Sequence, residues 1–457
     1  MLLQDVEWDQ ALIEKYNSSS PRYTSYPTAL EFSPRFSDDD FRKATQRYPT
    51  RPLSLYLHIP FCHQLCYFCG CNKVVTRHPE KAARYLQQLI AELRQRAPLF
   101  SQRLVTQIHF GGGTPTFLSD TQLAEVMSVI AEVFKVAPSA EISLELDPRQ
   151  FPIERLQGLR RIGFNRLSMG VQDFDPVVQQ RVNREQDAAQ IVELLSTMKA
   201  LGFTSTNIDL IYGLPQQTAE SFAHTIERVL ALRPDRMSVF NYAHMPELFA
   251  PQRKIKSDEL PSPAQKLQIL HQTIQQLQAG GYQFIGMDHF ALPEDELARA
   301  QRAGSLQRNF QGYTTQRQTD LLGVGVSAIS MVGDTYSQNE KTLTGWASRL
   351  AEEGHALVRG LSLSTEDCLR RDIITTLMCQ FTLDFRQIEA RIPQPFTDYF
   401  AEELRLLAPM QEDGLLIITP ERIQVTAKGR LLVRHICLCF DQYSRARSAQ
   451  QAFSRVI

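Results

Sequence analysis

The stretch from residue 53 to residue 71 reads LSLYLHIPFCHQLCYFCGC. Its first part, Leu53–Ile59, is a short run of the β type, which predicts a buried strand. Three cysteines follow almost at once with the spacing C-x3-C-x2-C, at Cys62, Cys66 and Cys69, and Cys71 lies two residues further on. The sequence therefore places four thiols just beyond the carboxyl end of the first strand.

A rhythm of short β-type runs, each followed by a longer helical stretch, extends from about residue 50 to residue 242 and indicates βαβ units in a parallel sheet. The helical stretches include Lys81–Arg96 and Asp120–Phe134, the second with Ser119 as its expected N-cap. Right-handed crossovers curl such a sheet into a barrel or part of one. We therefore predict an α/β fold with a partial (βα)6 TIM-like barrel. The six predicted strands are Leu53–Ile59, Val105–Phe110, Glu141–Leu146, Arg166–Met169, Asn207–Ile211 and Met237–Tyr242.

Outside this rhythm the chain divides into further regions. Residues 1–48 have turn chemistry without clear periodicity, which suggests an N-terminal arm or lid. The barrel is expected over residues 49–285 and includes a late helix near Ala264–Ala279, after a loop rich in proline and charge. Residues 286–457 are expected to form a mainly helical C-terminal domain that covers the active site.

The C-terminal domain is expected to carry a small winged-helix-like β-hairpin, formed by Leu415–Thr419 and Ile423–Thr426 after helices at Glu366–Cys379 and Thr397–Leu407. No basic recognition helix stands out, so packing is favoured over DNA binding, which stays an alternative. In the apolar run 434–440, Cys437 and Cys439 are expected to share one face of a buried strand, as free cysteines commonly do in cores.

The charge balance argues against several classes of protein. Lys plus Arg (49) and Asp plus Glu (50) nearly cancel, so no overall field attracts nucleic acid or anionic lipid. The amino terminus lacks a basic segment followed by a long apolar one, and no run of eighteen apolar residues occurs. We expect a cytoplasmic protein that binds neither nucleic acid nor membranes. Eight cysteines in such a chain do not suggest disulfides.

The spacing of Cys62, Cys66 and Cys69 suggests a 4Fe-4S cluster with one open iron, because closed ligation of such a cluster takes four thiolates. An open iron can chelate the amino and carboxylate groups of S-adenosylmethionine for reductive cleavage. Two alternatives remain: a zinc site that uses all four thiols, and a closed cluster with Cys71 as the fourth ligand. Zinc sites usually have knuckles a dozen or more residues apart, and Cys71 is awkwardly close to Cys69.

Other predicted strand ends support a ligand site at the same edge of the sheet. The glycines of Gly111–Gly113, followed by Thr114, would let backbone groups approach a ligand closely. Glu145 and Asp147 end the third strand, Gln172 ends the fourth and Asp209 lies in the fifth. Polar groups at the carboxyl ends of barrel strands are typical of ligand contacts, although each one taken alone could be a solvated loop side chain.

With these residues in place, the chain closely resembles the oxygen-independent coproporphyrinogen III oxidase family of radical S-adenosylmethionine enzymes, and the resemblance runs nearly end to end. Its motifs are Arg22–Thr28, Tyr56–Cys62, Cys69–Asn72, Asn183-Arg184, Asn207–Pro215 and Arg308–Tyr313, the last specific to this family.

The resemblance implies roles for particular residues. Cys62, Cys66 and Cys69 would bind one 4Fe-4S cluster, while Cys71 is a family feature that does not ligate it. Cys71, Tyr56 and Glu145 become the candidate catalytic residues. The implied contacts of the first S-adenosylmethionine are Tyr56, Phe68, Gly112, Glu145 and Ile329. Those of a second molecule are Gly113, Thr114, Gln172, Arg184, Asp209 and Ala243.

The implied reaction is oxidative decarboxylation of two propionate side chains of coproporphyrinogen III to vinyl groups, in porphyrin and haem biosynthesis, with two S-adenosylmethionine molecules per turnover. An electron donor such as a flavodoxin or ferredoxin is needed. Arginine suits carboxylates, so Arg22 and Arg308 are candidate substrate contacts, with surface solvation as the alternative for each. Phe310 and Gln311 of the same family motif are further candidates.

Three other functions are compatible with parts of the sequence. The haem chaperone paralogue shares the cluster motif, but it typically lacks the arm motif and Cys71. A redox-sensing iron-sulfur protein would need no S-adenosylmethionine pocket. A radical enzyme that modifies nucleic acid should carry a basic appended domain, which this sequence does not have.

Overall fold

A computed structural model describes residues 6–17 and 19–447, which form two units. The larger unit contains residues 32–270 and 318–362. The smaller one contains the described residues up to 31 together with 271–317 and 363–447. The expected regions 1–48, 49–285 and 286–457 differ from these units, because the chain leaves the larger unit and later returns to it.

The strands of the described residues, in chain order, are β1 Leu53–Ile59, β2 Phe61–Cys62, β3 Val74–Val75, β4 Leu104–Gly112, β5 Lys135–Leu146, β6 Arg166–Gln172, β7 Ser205–Tyr212, β8 Arg236–Asn241, β9 Gln283–Gly286, β10 His289–Ala291, β11 Gln307–Asn309, β12 Gly312–Thr314, β13 Asp320–Val324, β14 Ile329–Val332, β15 Thr335–Asn339, β16 Leu357–Ser362, β17 Thr382–Asp384, β18 Leu416–Ile418 and β19 Arg422–Val425.

The α-helices are α1 Gln10–Tyr16, α2 Asp38–Arg47, α3 Pro79–Arg96, α4 Asp120–Val133, α5 Arg155–Ile162, α6 Pro176–Arg181, α7 Ala188–Ala200, α8 Ala219–Leu232, α9 Pro263–Ala279, α10 Glu296–Arg302, α11 Leu343–Glu353, α12 Thr365–Gln380, α13 Arg386–Glu389, α14 Phe396–Tyr399, α15 Ala401–Glu412, α16 Val433–Leu438 and α17 Gln442–Ala446. Short 3-10 helices lie at Ala29–Glu31, Ala97–Phe100, Pro115–Phe117, Ala250–Lys254, Ser257–Glu259 and Arg430–Leu432.

The sheet of the larger unit has the strand order β16-β15-β14-β13-β1-β4-β5-β6-β7-β8. From β13 to β8 all neighbours pair in parallel. β14, β15 and β16 continue the sheet antiparallel beyond β13. The six predicted strands are confirmed as β1 and β4 to β8, and the partial barrel is confirmed as the core of the fold.

The predicted helices on this sheet are also confirmed. α3 buries Leu86, Leu89 and Leu93 along one stripe, as its periodicity predicts. Ser119 caps α4: its hydroxyl accepts from Gln122 N at 3.2 Å, and the Gln122 side chain accepts from Ser119 N at 2.9 Å. This capping box fixes where α4 begins after the loop that follows β4.

β13 is a strand that the sequence analysis missed. It pairs in parallel with the side of β1 opposite β4, in the register Tyr56↔Gly323 and Leu57↔Val324. The buried Glu92 of α3 holds the segment after β13, since its carboxylate accepts from Gly325 N at 2.7 Å and from Asn339 Nδ2 at 2.7 Å. Residues 318–362 therefore complete the sheet that begins at β1.

Two further predictions require correction. The run around Cys437 and Cys439 is the helix α16 and its end, not a strand, although both thiols are buried as expected. A short, largely apolar run is ambiguous between a helix and a strand, so its pattern did not identify the six-residue helix. The arm contains the helices α1 and α2, and Ser37 with Asp40 forms a capping box for α2 that the sequence analysis overlooked.

In the smaller unit the expected hairpin is present as β18 and β19, and β17 pairs with the outer side of β19 to make a three-stranded antiparallel sheet. The helices α12 and α15 precede it, as predicted. Within residues 6–17 and 19–447, no helix is long and apolar enough to cross a bilayer.

Candidate active site

The cysteine loop is fixed at both ends beside the carboxyl end of β1. β2 pairs in parallel with β3, and Thr76 N donates to the carbonyl oxygen of Cys62 at 3.0 Å. The middle of the loop is held as well, since Tyr67 N donates to Val182 O at 3.0 Å and Gln252 Nε2 donates to Phe68 O at 3.0 Å. The thiols are thus carried by a loop anchored to the strand ends of the sheet.

The four thiols differ in exposure and acidity. Cys62 and Cys66 are buried, Cys69 is half-buried and Cys71 is exposed. Burial raises the pKa of the Cys62 thiol to about 11. Hydrogen bonding between Cys69 and Cys71 lowers the pKa of Cys69 to about 6, helped by the charge of Lys73, and raises that of Cys71. The lowered pKa of Cys69 favours its thiolate form, which is the form that binds iron.

The donor arrangement also bears on the type of metal centre. Across the described parts of the chain, no three His, Cys, Asp or Glu side chains converge as the ligands of a single metal ion would. A structural zinc ion needs four donors around one point, whereas each thiolate of a cubane binds a separate iron. Cys62, Cys66 and Cys69 on one loop supply the three thiolates that a 4Fe-4S cluster with one open iron requires.

Two guanidinium groups point at the sulfur of Cys66. Arg149 Nη2 lies 3.3 Å and Arg184 Nη1 lies 3.2 Å from Cys66 Sγ. The carboxylate of Asp147, at the end of β5, binds both arginines, with contacts of 2.6 Å to Arg149 Nη2 and 3.3 Å to Arg184 Nη1. Although burial raises the pKa of Asp147, the charges of the two arginines lower it below its usual value. Cys66 thus lies in a locally positive environment.

Glu145 lies beside an aromatic pair at the ends of β1, β4 and β5. Its Oε1 is 3.2 Å from His109 Nε2, and His109 Nδ1 is 2.7 Å from Ser143 Oγ. The ring of Tyr56 stacks on His109, with centroids 5.9 Å apart, and Tyr56 Oη is 3.0 Å from His58 Nδ1. Burial raises the pKa of Glu145, but the hydrogen bond and charge of His109 outweigh it, so the net pKa is lowered.

The glycines at the end of β4 and directly after it lie against the cysteine loop. A Cβ on Gly113 would lie 2.7 Å from the carbonyl carbon of Pro60, and one on Gly112, where φ is +113°, would lie 2.6 Å from His58 Cε1. The backbone amides of Gly113 and Thr114 donate to Ile59 O and Phe61 O at 2.8 Å. Only glycine allows this approach, so the glycine run joins the second strand end to the cysteine loop.

We expect Gly113→Ala to lower the free energy of unfolding by about 1–3 kcal/mol, because the new methyl group would press on backbone atoms that cannot move freely. Urea denaturation of the anaerobic protein measures the change. Gly202→Ala is the control. A Cβ there would meet nothing within 4 Å, so the alanine would be strained only by the left-handed backbone conformation (φ +73°). An equal loss in both variants would mean that crowding at Pro60 is unimportant.

The remaining candidate contacts occupy neighbouring strand ends. Asp209 Oδ2 accepts from Ser168 Oγ at 2.9 Å, and burial raises the pKa of Asp209. Arg184 also donates to Gly170 O. Gln172 ends β6 with φ +69°, and Ala243 is exposed two residues after β8. Most of the candidates for the second cofactor molecule therefore lie at the ends of β4, β6, β7 and β8.

Ile329 is placed by the strand that the sequence analysis missed. It begins β14, next to β13, and Gly323 of β13 is the register partner of Tyr56 in β1. A Cβ on Gly323 would lie 2.4 Å from Ile329 O. Ile329 thus lies in β14, and β14 pairs with β13. β13 in turn pairs with β1, the strand that carries Tyr56.

The substrate candidates lie in the smaller unit. Arg22 forms an ion pair with Asp288. Arg308, the middle residue of β11 in the short hairpin of β11 and β12, is 8% exposed, and its guanidinium lies 4.7 Å from the centroid of the Tyr313 ring. Within the described residues, the buried Nε and Nη1 of Arg308 and Nε2 of Gln311 have no hydrogen-bond partner. Phe310 lies between them and is half-buried.

Two residues of the larger unit were not singled out from the sequence. His109 holds Glu145, and Arg149 contacts Cys66. The signal for His109 is a polar residue between the apolar Ile108 and Phe110 near the end of a predicted strand. Arg149 stands two residues after Asp147 in a loop, where the sequence offers no comparable signal.

Comparison with known families gives matches to both units. Residues 56–229 match the radical SAM superfamily, and residues 363–432 match the HemN C-terminal domain. The oxygen-independent coproporphyrinogen III oxidase of Escherichia coli (strain K12) is 60% identical over 457 residues and covers 100% of both chains. The enzyme of that name from Pseudomonas aeruginosa is 48% identical over 461 residues, again with 100% of both chains.

The solved structures include a close match. A structure of coproporphyrinogen III oxidase from Escherichia coli, described as a radical SAM enzyme, superposes with a TM-score of 0.93 at 59% sequence identity. The superposition covers 96% of this chain and 100% of the other. The similarity therefore extends far beyond the cysteine loop.

Proposed function

The chain belongs to the family of oxygen-independent coproporphyrinogen III oxidases, and we propose from this membership and from its site that it converts two propionate side chains of coproporphyrinogen III into vinyl groups. The product is protoporphyrinogen IX. Each propionate side chain loses carbon dioxide, one hydrogen atom and one electron, and its two remaining carbons form the vinyl double bond. The observation that carries the proposal is the anchored loop of Cys62, Cys66 and Cys69 at the carboxyl ends of the parallel strands.

The three thiols fit a 4Fe-4S cluster with one iron left open. When bound, the cluster would supply the electron for reductive cleavage of S-adenosylmethionine, the source of the radical chemistry that removes a hydrogen atom from the substrate. The protein holds the cluster through Cys62, Cys66 and Cys69. Cys71, exposed and hydrogen-bonded to Cys69, is the further candidate catalytic residue of this loop.

For the first S-adenosylmethionine we assign Tyr56, Phe68, Gly112, Glu145 and Ile329. Glu145 is the charged member of this set, and His109 keeps its carboxylate ionised. An ionised carboxylate is a charge-assisted partner for the ammonium of the cofactor. The ring of Tyr56, in β1, stacks on His109 and so supports the position of His109 beside Glu145.

A second S-adenosylmethionine suits a reaction with two propionate side chains. We assign it to the polar strand ends formed by Gly113, Thr114, Gln172, Arg184, Asp209 and Ala243. Arg184 supplies a cation for a carboxylate and Asp209 supplies oxygen acceptors. Both are held by neighbours, Arg184 by Asp147 at 3.3 Å and Asp209 by Asn207 at 2.8 Å.

The substrate carries four carboxylates, and Arg308 with Gln311 offers buried donors for one of them. Arg308 is 8% exposed, and two of its nitrogens as well as Nε2 of Gln311 lack hydrogen-bond partners within the described residues. Leaving such donors unpaired costs free energy, which a bound carboxylate would recover. Arg22 and Phe310 remain the other candidate contacts on this unit.

We expect Arg308→Gln to raise KM for coproporphyrinogen III by about 10- to 150-fold, since a hydrogen bond to a charged group contributes about 1.5–3 kcal/mol. Anaerobic initial rates at varied substrate concentration measure the effect. The exposed Arg302, which donates to Gln283 Oε1 at 2.9 Å in the same unit, is the control, and Arg302→Gln should leave KM unchanged. A parental KM in Arg308→Gln would remove Arg308 from the substrate site.

The cluster must receive electrons from outside the protein, and we propose a small one-electron carrier such as a flavodoxin or ferredoxin as donor. His63 and Gln64, between two of the cluster ligands, are exposed, so the loop has a face that another protein can approach. Complexes between electron-transfer proteins of this kind have small interfaces and are transient.

The deciding experiment is anaerobic incubation of the reconstituted protein with coproporphyrinogen III, S-adenosylmethionine and dithionite. We expect one carbon dioxide and one methionine for each vinyl group formed, and two of each for complete conversion. A ratio of one methionine to two carbon dioxide molecules would contradict the use of two cofactor molecules. Cleavage of S-adenosylmethionine without any release of carbon dioxide would contradict the proposed reaction itself.

A further inference from the structure

We propose that Arg149 is a positioning residue that raises the reduction potential of the cluster by hydrogen bonding to the sulfur of Cys66. The inference rests on the proposed function, since it requires the cluster to be bound. The site is defined by three side chains, those of Arg149, Asp147 and Arg184. None of the proposed cofactor or substrate contacts includes Arg149 or Asp147.

The geometry supports a direct interaction between Arg149 and the ligand sulfur. Arg149 Nη2 lies 3.3 Å from Cys66 Sγ, within the range of a hydrogen bond to sulfur, and only 7% of the Arg149 side chain is exposed. Its other nitrogens are occupied as well: Nε donates to Asp147 Oδ1 at 3.0 Å, and Nη1 donates to Gln64 Oε1 at 2.9 Å. The guanidinium is therefore held in one orientation, with one N–H directed at the sulfur.

Asp147 provides that orientation. Its two oxygens bind Arg149 Nε and Nη2 side by side, the planar arrangement that arginine and a carboxylate favour. A lysine at position 149 could place a charge near Cys66 but could not make this fork. Arg149 also donates to the carbonyl oxygen of Asn183 at 3.2 Å, which links the loop before α5 to the segment that carries Arg184.

The chemical effect follows from charge. Reduction adds one negative charge to the cluster and its thiolates, and a nearby cation or N–H donor stabilises this reduced form more than the oxidised one. The three side chains together carry one net positive charge, since two arginines face one aspartate. Removing the positive charge and the hydrogen bond of Arg149 should make the cluster harder to reduce.

Arg155 offers a matched comparison. It lines the same cavity, of about 350 Å³, as Arg149, but its guanidinium is used elsewhere. It donates to Asp120 Oδ1 at 2.8 Å and to the carbonyl oxygens of Thr116 and Leu118 at 2.9 and 2.8 Å. Arg155→Gln therefore removes a nearby arginine without removing a hydrogen bond to a cysteine sulfur.

The test is a redox titration of the reconstituted protein without S-adenosylmethionine, followed by electron paramagnetic resonance of the reduced cluster. We expect Arg149→Gln to keep the iron and sulfide content of the parent and to shift the midpoint potential to a more negative value. Arg149→Lys should shift it less, and Arg155→Gln should shift it least.

Equal potentials in the parent protein and Arg149→Gln would overturn the inference, and so would equal shifts in Arg149→Gln and Arg155→Gln. Loss of the cluster from both Arg149 variants would also overturn it, because Arg149 would then act in assembly. A parent protein that binds no cluster would contradict the proposed function instead, so the two failures are distinguishable.

Discussion

We expect Cys66→Ser to remove the cluster and to reduce decarboxylation below detection, whereas Cys71→Ser should retain the cluster. Each variant exchanges one sulfur atom for oxygen, and the loss in Cys66→Ser is the largest effect that we expect from such an exchange. A serine hydroxyl stays protonated at neutral pH and is a poor ligand for iron beside soft sulfides, so a serine cannot replace a cluster thiolate. The same loss is expected for Cys62→Ser and Cys69→Ser. Iron and sulfide analysis of the four anaerobically reconstituted variants measures it.

Cys71→Ser is the matched control, because the same substitution is made two residues from Cys69 on the same loop. Cys71 is exposed and shares a hydrogen bond with Cys69, so its replacement should change the surroundings of one ligand but leave three thiolates. Loss of the cluster from Cys71→Ser would make Cys71 a fourth ligand. The proposal that one iron is open, and that S-adenosylmethionine is cleaved there, would then be wrong.

Glu145→Ala should weaken S-adenosylmethionine binding by about 10- to 150-fold, because it removes a charge-assisted contact of about 1.5–3 kcal/mol with the cofactor ammonium. Equilibrium dialysis with the reconstituted protein measures binding without relying on turnover. Glu141→Gln is the control: Glu141 lies on the same face of β5, where it accepts from Gln107 Nε2 at 3.1 Å, and it is not a cofactor contact. Unchanged binding by Glu145→Ala would show that the carboxylate does not hold the cofactor.

The same contact has a defined pH dependence. The pKa of Glu145 is lowered in the folded protein, since the hydrogen bond and charge of His109 outweigh the effect of burial. Its carboxylate is therefore fully charged above the ordinary glutamate pKa, and the binding that it supports is lost only as the pH falls through the lowered pKa. His109→Ala should move this loss to higher pH. An unchanged binding profile in His109→Ala would contradict the positioning of Glu145 by His109.

The sequence alone predicted the parts of the site that depend on local order. The spacing of Cys62, Cys66 and Cys69 is fixed within eight residues, and the alternation of strands and helices identifies six strand ends at one edge of a parallel sheet. Both features are local in the sequence, so they can be recognised without knowing which strands pair. The family resemblance then added residues such as Ile329 and Arg308 that no local pattern would select.

Contacts between distant segments could not be predicted in this way. β13 is a five-residue strand without a helix of its own before it, and only its pairing with β1 identifies it as part of the sheet. The same limit applies to Arg149, whose approach to Cys66 depends on how the loops after β1 and β5 fold. α16 shows a different limit, since a short, largely apolar run has a similar composition in a helix and in a strand.

The position of β13 beside β1 has a consequence for protein synthesis. Chains begin to fold from the amino terminus while they are still on the ribosome, but β1 cannot gain its second neighbour until residues 320–324 have been made. Until then the nascent chain presents an unpaired edge strand, which is a template for aggregation, next to the four free thiols of the cysteine loop. We therefore expect ribosome-bound chains shorter than 320 residues to depend on chaperones.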